Sequence, residues 1–184
     1  MNKRLFISLA VTAFIASACA TKDPDAATER RTLDAQADAA LARLGSQVPG
    51  SRERVAKARG VLVFPEMKTA GLVVGGSRGR GVLRSGAGTA GYYHTSGASI
   101  GLLAGGDSKA VYVLFMTQEA LDKFNRGNGW TIGADASVTF ATHGGDASID
   151  TETGRHPVIG YVLTNSGLLL NASLDGAKVS RLDI

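Results

Sequence analysis

The spacing of hydrophobic positions changes near residue 60. Between Thr28 and Leu44, the apolar residues Leu33, Ala37, Ala40, Leu41 and Leu44 recur at helical spacing on a background of Ala, Gln and Arg. That pattern predicts a helix, with Gly45 as its stop. Pro49-Gly50 reads as a turn, and Ser51 as the cap of a second helix over Arg52 to Arg59, ended by Gly60. Beyond Gly60 the chain becomes a series of short apolar runs set off by Gly, Asn, Asp and Ser. The first is Val61-Leu62-Val63-Phe64, closed by Pro65. Further strands are predicted at 70–75, 81–84, 91–95, 99–104, 110–116, 130–132, 136–141, 159–164, 168–174 and 177–182. One helix interrupts them, capped by Thr117, filled by Gln118 to Phe124, with Gly127 just past its end. Asn165-Ser166-Gly167 reads as a hairpin turn. The close spacing favours hairpins over crossover units. The fold class is α+β, with N-terminal helices packed on a curved antiparallel β-sheet or barrel-like β domain. It forms one domain over 28–184, helical over 28–60 and mainly β over 61–184 with one helix near 118–125.

Glycine sharpens this picture. The chain of 184 residues has 24 Gly and only 4 Pro. That excess over the usual share of about 7% suits tight turns, bulges and close backbone contacts in a sheet.

The first residues belong to no domain. Lys3 and Arg4 precede an apolar run from Leu5 to Ile15, and Ala16-Ser17-Ala18-Cys19 follows. This is a signal peptide over 1–18, too short for a spanning helix of about 20 apolar residues. Two readings of the cleavage site stand side by side. Ala16 and Ala18 suit an ordinary signal peptidase. Ala-Ser-Ala-Cys also resembles a bacterial lipobox, with Ala16 in place of the usual Leu. Cys19 is the sole Cys, so it makes no internal disulfide, and lipidation gives it a reason to be there. Residues 19–27 are then the acylated Cys and a polar tether containing Pro24. Ala20 after the Cys, by resemblance to enterobacterial lipoproteins, points to the outer membrane. The expected location is the cell envelope, facing the periplasm.

Charge is unevenly placed. Removing Lys3 and Arg4 from the 20 basic residues leaves 18 against 16 acidic ones, a net of +2. From Arg52 to Arg84, eight basic residues (Arg52, Arg54, Lys57, Arg59, Lys68, Arg78, Arg80 and Arg84) meet two acidic ones, Glu53 and Glu66, for a net of +6. For an exported chain the nearest anionic partner is lipid headgroup, and export argues against nucleic acid. The same charges also fit a solvated helix face with scattered loop residues.

Motifs for chemistry are thin. Gly97-Ala98-Ser99-Ile100-Gly101 fits a nucleophile elbow, but Ser99 runs into strand-like sequence where the elbow needs a helix. Gly75 to Gly81, containing Arg78 and Arg80, resembles a phosphate-cradling loop without the Lys-Ser/Thr ending of a nucleotide site. It reads more simply as a glycine-rich hairpin turn. His94, His143 and His156 show no metal-ligand spacing, and Asp146, Asp150 and Glu152 do not match a calcium loop. Trp130 reads as a core or strand anchor. Asp135 suits either a turn or a site. No cofactor, metal or enzymatic activity is expected.

The ordered series of motifs carries more. Lys57-Ala58-Arg59-Gly60-Val61-Leu62-Val63-Phe64-Pro65 resembles the opening of the SYLF domain. Ala70-Gly71-Leu72-Val73-Val74-Gly75-Gly76, Gly79-Arg80-Gly81-Val82-Leu83, Ser96-Gly97-Ala98-Ser99-Ile100-Gly101 and Val111 to Phe124 follow in family order. Gly133-Ala134-Asp135-Ala136-Ser137 and Ser166-Gly167-Leu168 complete the likeness, which spans about Arg52 to Ile184. The resemblance implies a membrane-associated module binding anionic lipids, with phosphoinositide and actin contacts in eukaryotic members and no established catalytic residues. It implicates basic residues near the N-terminal helix, here Arg52, Arg54, Lys57 and Arg59. Arg78 and Arg80 join them as expected headgroup ligands. The chain departs from the family at Thr89 to Tyr93, Leu103, Ala141 to Gly144 and Asn171, which bears on a shared ligand more than on a shared fold. The alternative is a structural or stress-related envelope protein working through protein–protein contacts.

Overall fold

The computed structural model describes residues 24–71, 74–86, 88–100, 108–127, 129–135, 137–140, 156–168 and 176–184. The signal peptide, Cys19, His143 and the acidic stretch Asp146, Asp150 and Glu152 lie outside the described residues.

Helix α1 runs from Pro24 to Gln47, about 36 Å at 1.5 Å per residue. It starts earlier than its apolar stripe suggests. Pro24 opens the helix because the first turn needs no N–H from it, and Asp25 sits in the favoured acidic first turn. Gly45 lies inside α1 and does not stop it. The Arg52 stem lies over Gly45, so close that a Cβ there would sit 2.7 Å from Arg52 Cγ. Helix α2 spans Ser51–Lys57. The Ser51 hydroxyl is buried and points back, donating toward the Val48 carbonyl at 2.7 Å and the Leu44 carbonyl at 3.0 Å. Ser51 therefore satisfies the end of α1 and does not cap α2.

Nine strands form one sheet among the described residues: β1 (Gly60–Gly71), β2 (Val74–Ser85), β3 (Gly88–Ile100), β4 (Ser108–Phe115), β5 (Trp130–Thr131), β6 (Thr139–Phe140), β7 (Val158–Thr164), β8 (Gly167–Leu168) and β9 (Lys178–Arg181). Helix α3 (Gln118–Arg126) follows β4, and the Thr117 hydroxyl accepts the Ala120 N–H at 3.2 Å as its cap. The strand order is β5-β9-β3-β2-β1-β4-β7-β6, with β8 paired to β7. Every pairing is antiparallel except β6–β7, which is parallel, so the curved sheet is mixed.

The centre of the sheet, in β1, β4 and β7, is buried on both faces, which explains its unbroken apolar runs. Alternate residues split between two cores. Val61, Val63, Tyr112, Leu114, Ile159 and Tyr161 pack under Leu33, Ala37, Ala40 and Leu44 of α1. Leu62, Phe64, Val113, Phe115 and Val162 face the other way, toward Leu121 and Phe124 of α3 and Trp130. On that side Phe124 lies 5.0 Å from Tyr93 and Phe115 and 5.4 Å from Trp130, ring centre to ring centre. The α1 face depends on small Ala residues that let helix and sheet approach closely.

Two expected boundaries move. Pro65 does not end β1; it sits at a register shift against both neighbours, and bulges are where strands tolerate Pro. Gly75 to Gly81 is neither a cradling loop nor a hairpin turn but the body of β2, paired along its length with β1 and β3. Gly81 is required there. A Cβ would lie 2.5 Å from both the Phe64 ring and the Val63 carbonyl oxygen. Ser99 lies within β3 opposite Gly75, so the strand–turn–helix context of an elbow is absent at that position.

Candidate functional site

The α1 face of the sheet carries a cationic row at the end where α1 begins. Lys68 on β1 stands opposite Arg78 on β2, Arg78 opposite Ser96 on β3, and Ser96 opposite Lys178 on β9. Direct cross-strand partners point to one face, so these four side chains share a line about 14 Å long across four strands. A second row lies two residues nearer the helix: Glu66, Arg80, His94 and Ser180. Its charges are balanced, because Glu66 stands opposite Arg80 and Arg80 pairs with Glu29 of α1.

Two hollows open over these rows. One, of about 570 Å³, lies beside α1 and is lined by Glu29, Glu66, Lys68, Arg78, Arg80 and His94 among others. The second, of about 600 Å³, is lined by Lys68, Gly76, Ser77, Arg78, Ser96 and Gly97, with no carboxylate among the described residues. They share Lys68, Arg78 and Ser96. Lys68 has a loose, exposed partner in Glu66 at 3.6 Å. Among the described residues, no acceptor is paired with the Arg78 or Lys178 side chain. Lys109 sits elsewhere, on β4 opposite Met67, where burial lowers its pKa.

The other basic residues have different duties. Arg84 is held by α1, with Nη2 2.6 Å from Asp38 Oδ1 and Nη1 3.3 Å from Asp34 Oδ1. Thr89 donates to Asp34 at 2.7 Å, and Tyr92 at 2.9 Å. Burial first, and then this bond to Asp34, raises the Tyr92 hydroxyl pKa. The network pins α1 to β2 and β3, so Arg84 is a clamp.

The expected headgroup residues fall into two groups. Arg78 and Arg80 lie at the α1 start. Arg52, Arg54, Lys57 and Arg59 lie on and just after α2, at the opposite end of α1. Arg52 donates to the Gly45 carbonyl at 3.1 Å and Arg54 to the Tyr161 hydroxyl at 3.1 Å, while Lys57 and Arg59 are exposed. Glu29, which pairs with Arg80, and Gly45, under Arg52, are sixteen residues apart on α1, or about 24 Å. One segment of sequence thus yields two separate cationic surfaces. Lys178 and Ser96 were missed in the sequence, because only strand pairing brings β9 beside β3.

Asp135 forms a turn, accepting the Thr131 N–H at 2.6 Å through its carboxylate. Trp130 is buried in the aromatic cluster. Among the described residues, no group of three His, Cys, Asp or Glu is placed to hold a metal ion, and no helix is long and apolar enough to cross a membrane.

No curated protein matches the chain. Residues 96–183, from within β3 to the end of the sheet, match the Ysc84 family model, described as Las17-binding protein actin regulator, so this part of the chain is similar to the Ysc84, or SYLF, family.

Proposed function

We propose that this chain is an exported lipoprotein, anchored to the outer membrane by acylated Cys19, whose SYLF domain adheres to anionic phospholipid headgroups. The Ysc84 match supports a lipid-binding or actin-regulator type of role. The description of that family concerns Las17 and actin; an exported bacterial-type lipoprotein would use the lipid side of it. One observation carries the headgroup reading: a cationic row, Lys68, Arg78 and Lys178, at the end of the domain where α1 begins, whose one carboxylate partner among the described residues is the exposed Glu66 beside Lys68. Cys19 precedes Pro24 by five residues, a reach of at most about 18 Å. An anchor at Cys19 holds that row within a short distance of the bilayer, where each cation adds about 1 kcal/mol. The α2 group, Arg52, Arg54, Lys57 and Arg59, is then the surface turned away.

Liposome co-sedimentation of the chain from residue 20 onward tests this. Binding to phosphatidylglycerol- or cardiolipin-rich vesicles at low salt, weakened by high salt and lost on Lys68, Arg78 and Lys178→Ala, is the expected result. No binding to any vesicle would sink the headgroup reading and leave protein contacts in the envelope as the role. Loss only on Arg52, Arg54, Lys57 and Arg59→Ala would reverse the orientation. The anchor has its own test: an alkyne-labelled fatty acid should mark the chain and fail to mark Cys19→Ala.

A further inference from the structure

We propose that the hollow around Arg78 is a discrete site for one phosphate group. The proposal rests on the headgroup reading for the source of that phosphate and deepens it from a charged surface to a built pocket.

Three observations converge. Lys68 and Arg78 are direct cross-strand partners, so two cations are held on adjacent strands about 5 Å apart at the backbone. Ser96 continues the line, placing a hydroxyl between Arg78 and Lys178. A dianion seated in the hollow meets the Arg78 guanidinium fork, the Lys68 ammonium group and the Ser96 hydroxyl, and tetrahedral phosphate oxygens can engage more than one strand at once. Among the described residues, the hollow that Lys68, Arg78 and Ser96 border is lined by no carboxylate, whereas the neighbouring groove holds Glu29 and Glu66. Charge alone would favour both; the acid-free part is where an anion fits. Gly76 lines the hollow without a side chain that would fill it.

Gly76 also provides the test. A Cβ built there meets nothing within 4 Å, and Gly76 is not a positive-φ glycine. It shares the face of Arg78, two residues along β2. Gly76→Val therefore plugs the hollow while keeping every charge.

The experiment is an NMR titration of the chain from residue 20 onward with inorganic phosphate and with glycerol 3-phosphate, beside sedimentation on phosphatidic acid and phosphatidylglycerol vesicles. The expected result is saturable binding of the soluble phosphates. Arg78→Gln and Gly76→Val should each weaken it about tenfold or more, while Arg59→Gln leaves it unchanged. Native Trp130 fluorescence in each variant shows that the fold is kept. No saturation, or saturation that survives the plug, overturns the site. Vesicle binding that persists without any phosphate site would leave the headgroup reading standing as surface adhesion. Phosphate binding without vesicle binding would keep the site and make its source a soluble phosphate ester. Preference for phosphatidic acid, lost in Gly76→Val, identifies the lipid as the source.

Discussion

Lys68 and Arg78 stand directly opposite each other on one face of the β1–β2 ladder. Like charges in that position oppose pairing, and one row away the same strands carry the complementary pair Glu66 and Arg80. On the proposed reading, this repulsion is the stability cost of an anion-binding pair. Arg78→Glu should therefore stabilise the domain by about 0.3–1 kcal/mol, through a cross-strand pair with Lys68, and abolish binding to anionic vesicles. Urea denaturation followed by Trp130 fluorescence reads the first effect and sedimentation the second. A destabilised variant would mean that Arg78 has a structural role.

Arg84 carries the opposite expectation. It joins Asp34, Asp38 and Thr89, and Asp34 also takes the Tyr92 hydroxyl. Arg84→Met should cost about 1–3 kcal/mol, mainly because the partly buried Asp34 loses its cation, the exposed Asp38 adding little. Vesicle binding per folded molecule should stay as it was. A shift of the urea midpoint with unchanged sedimentation is the signature.

Two glycines on one strand should respond in contrary ways. Gly81→Ala places a methyl group against the Phe64 ring and the Val63 carbonyl and should cost about 1–3 kcal/mol. Gly76→Ala meets open space and should be neutral or slightly stabilising, since alanine narrows the unfolded ensemble. Thermal melts of the two variants side by side check this. Equal losses would contradict the packing described at Gly81.

Alkali should loosen the α1 face. Tyr112 is fully buried, and its hydroxyl donates to the Ala40 carbonyl at 2.9 Å. Burial, partly offset by Arg43, pushes its pKa from 10.0 up to about 12. The unfolded tyrosine ionises first, so its contribution is full below pH 10 and is lost as the pH rises toward 12, roughly 2–3 kcal/mol in all. Tyr92 and Tyr93 are raised as well and act in the same direction. Tyr112→Phe should cost about 1 kcal/mol at neutral pH through the lost hydrogen bond and flatten the alkaline decline. Denaturant midpoints at pH 8, 10 and 11 give the slope; identical slopes for both proteins would rule Tyr112 out as the group responsible.

The parts of the fold that were legible in the sequence share one physical cause. Val61 to Phe64, Val111 to Phe115 and Val158 to Leu163 are buried on both faces, so their apolar runs have no polar interruptions to mislead. Leu33, Ala37 and Leu44 show the α1 stripe equally plainly. Gly79 and Gly81 read as turn residues because what requires them, Met67 and Phe64, lies on another strand. Pro24 and Gly45 were assigned by their usual habits, and context overrode both: the first turn of α1 accepts the one, and Arg52 covers the other. The candidate site was half visible. Arg78 and Arg80 stood out by charge density, but Glu29 pairs with Arg80 and Lys178 joins Arg78 only through strand pairing. The residues of α2 looked continuous with Arg78 along the chain, and a long helix separates them in space.

The strand order has a consequence for how the chain can be cut. β1 and β2 lie between β3 and β4, so among the described strands they alone connect the β3–β9 side of the sheet to the β4–β7 side. The segment matched by the family starts at Ser96, after both of these strands and after α1 and α2. Expressed alone, it would hold two flanks of a sheet with the centre missing and the roof gone. The smallest autonomous piece therefore begins at α1, and a chain severed in the β2–β3 turn should regain its shape only when both halves are present, as a split reporter does.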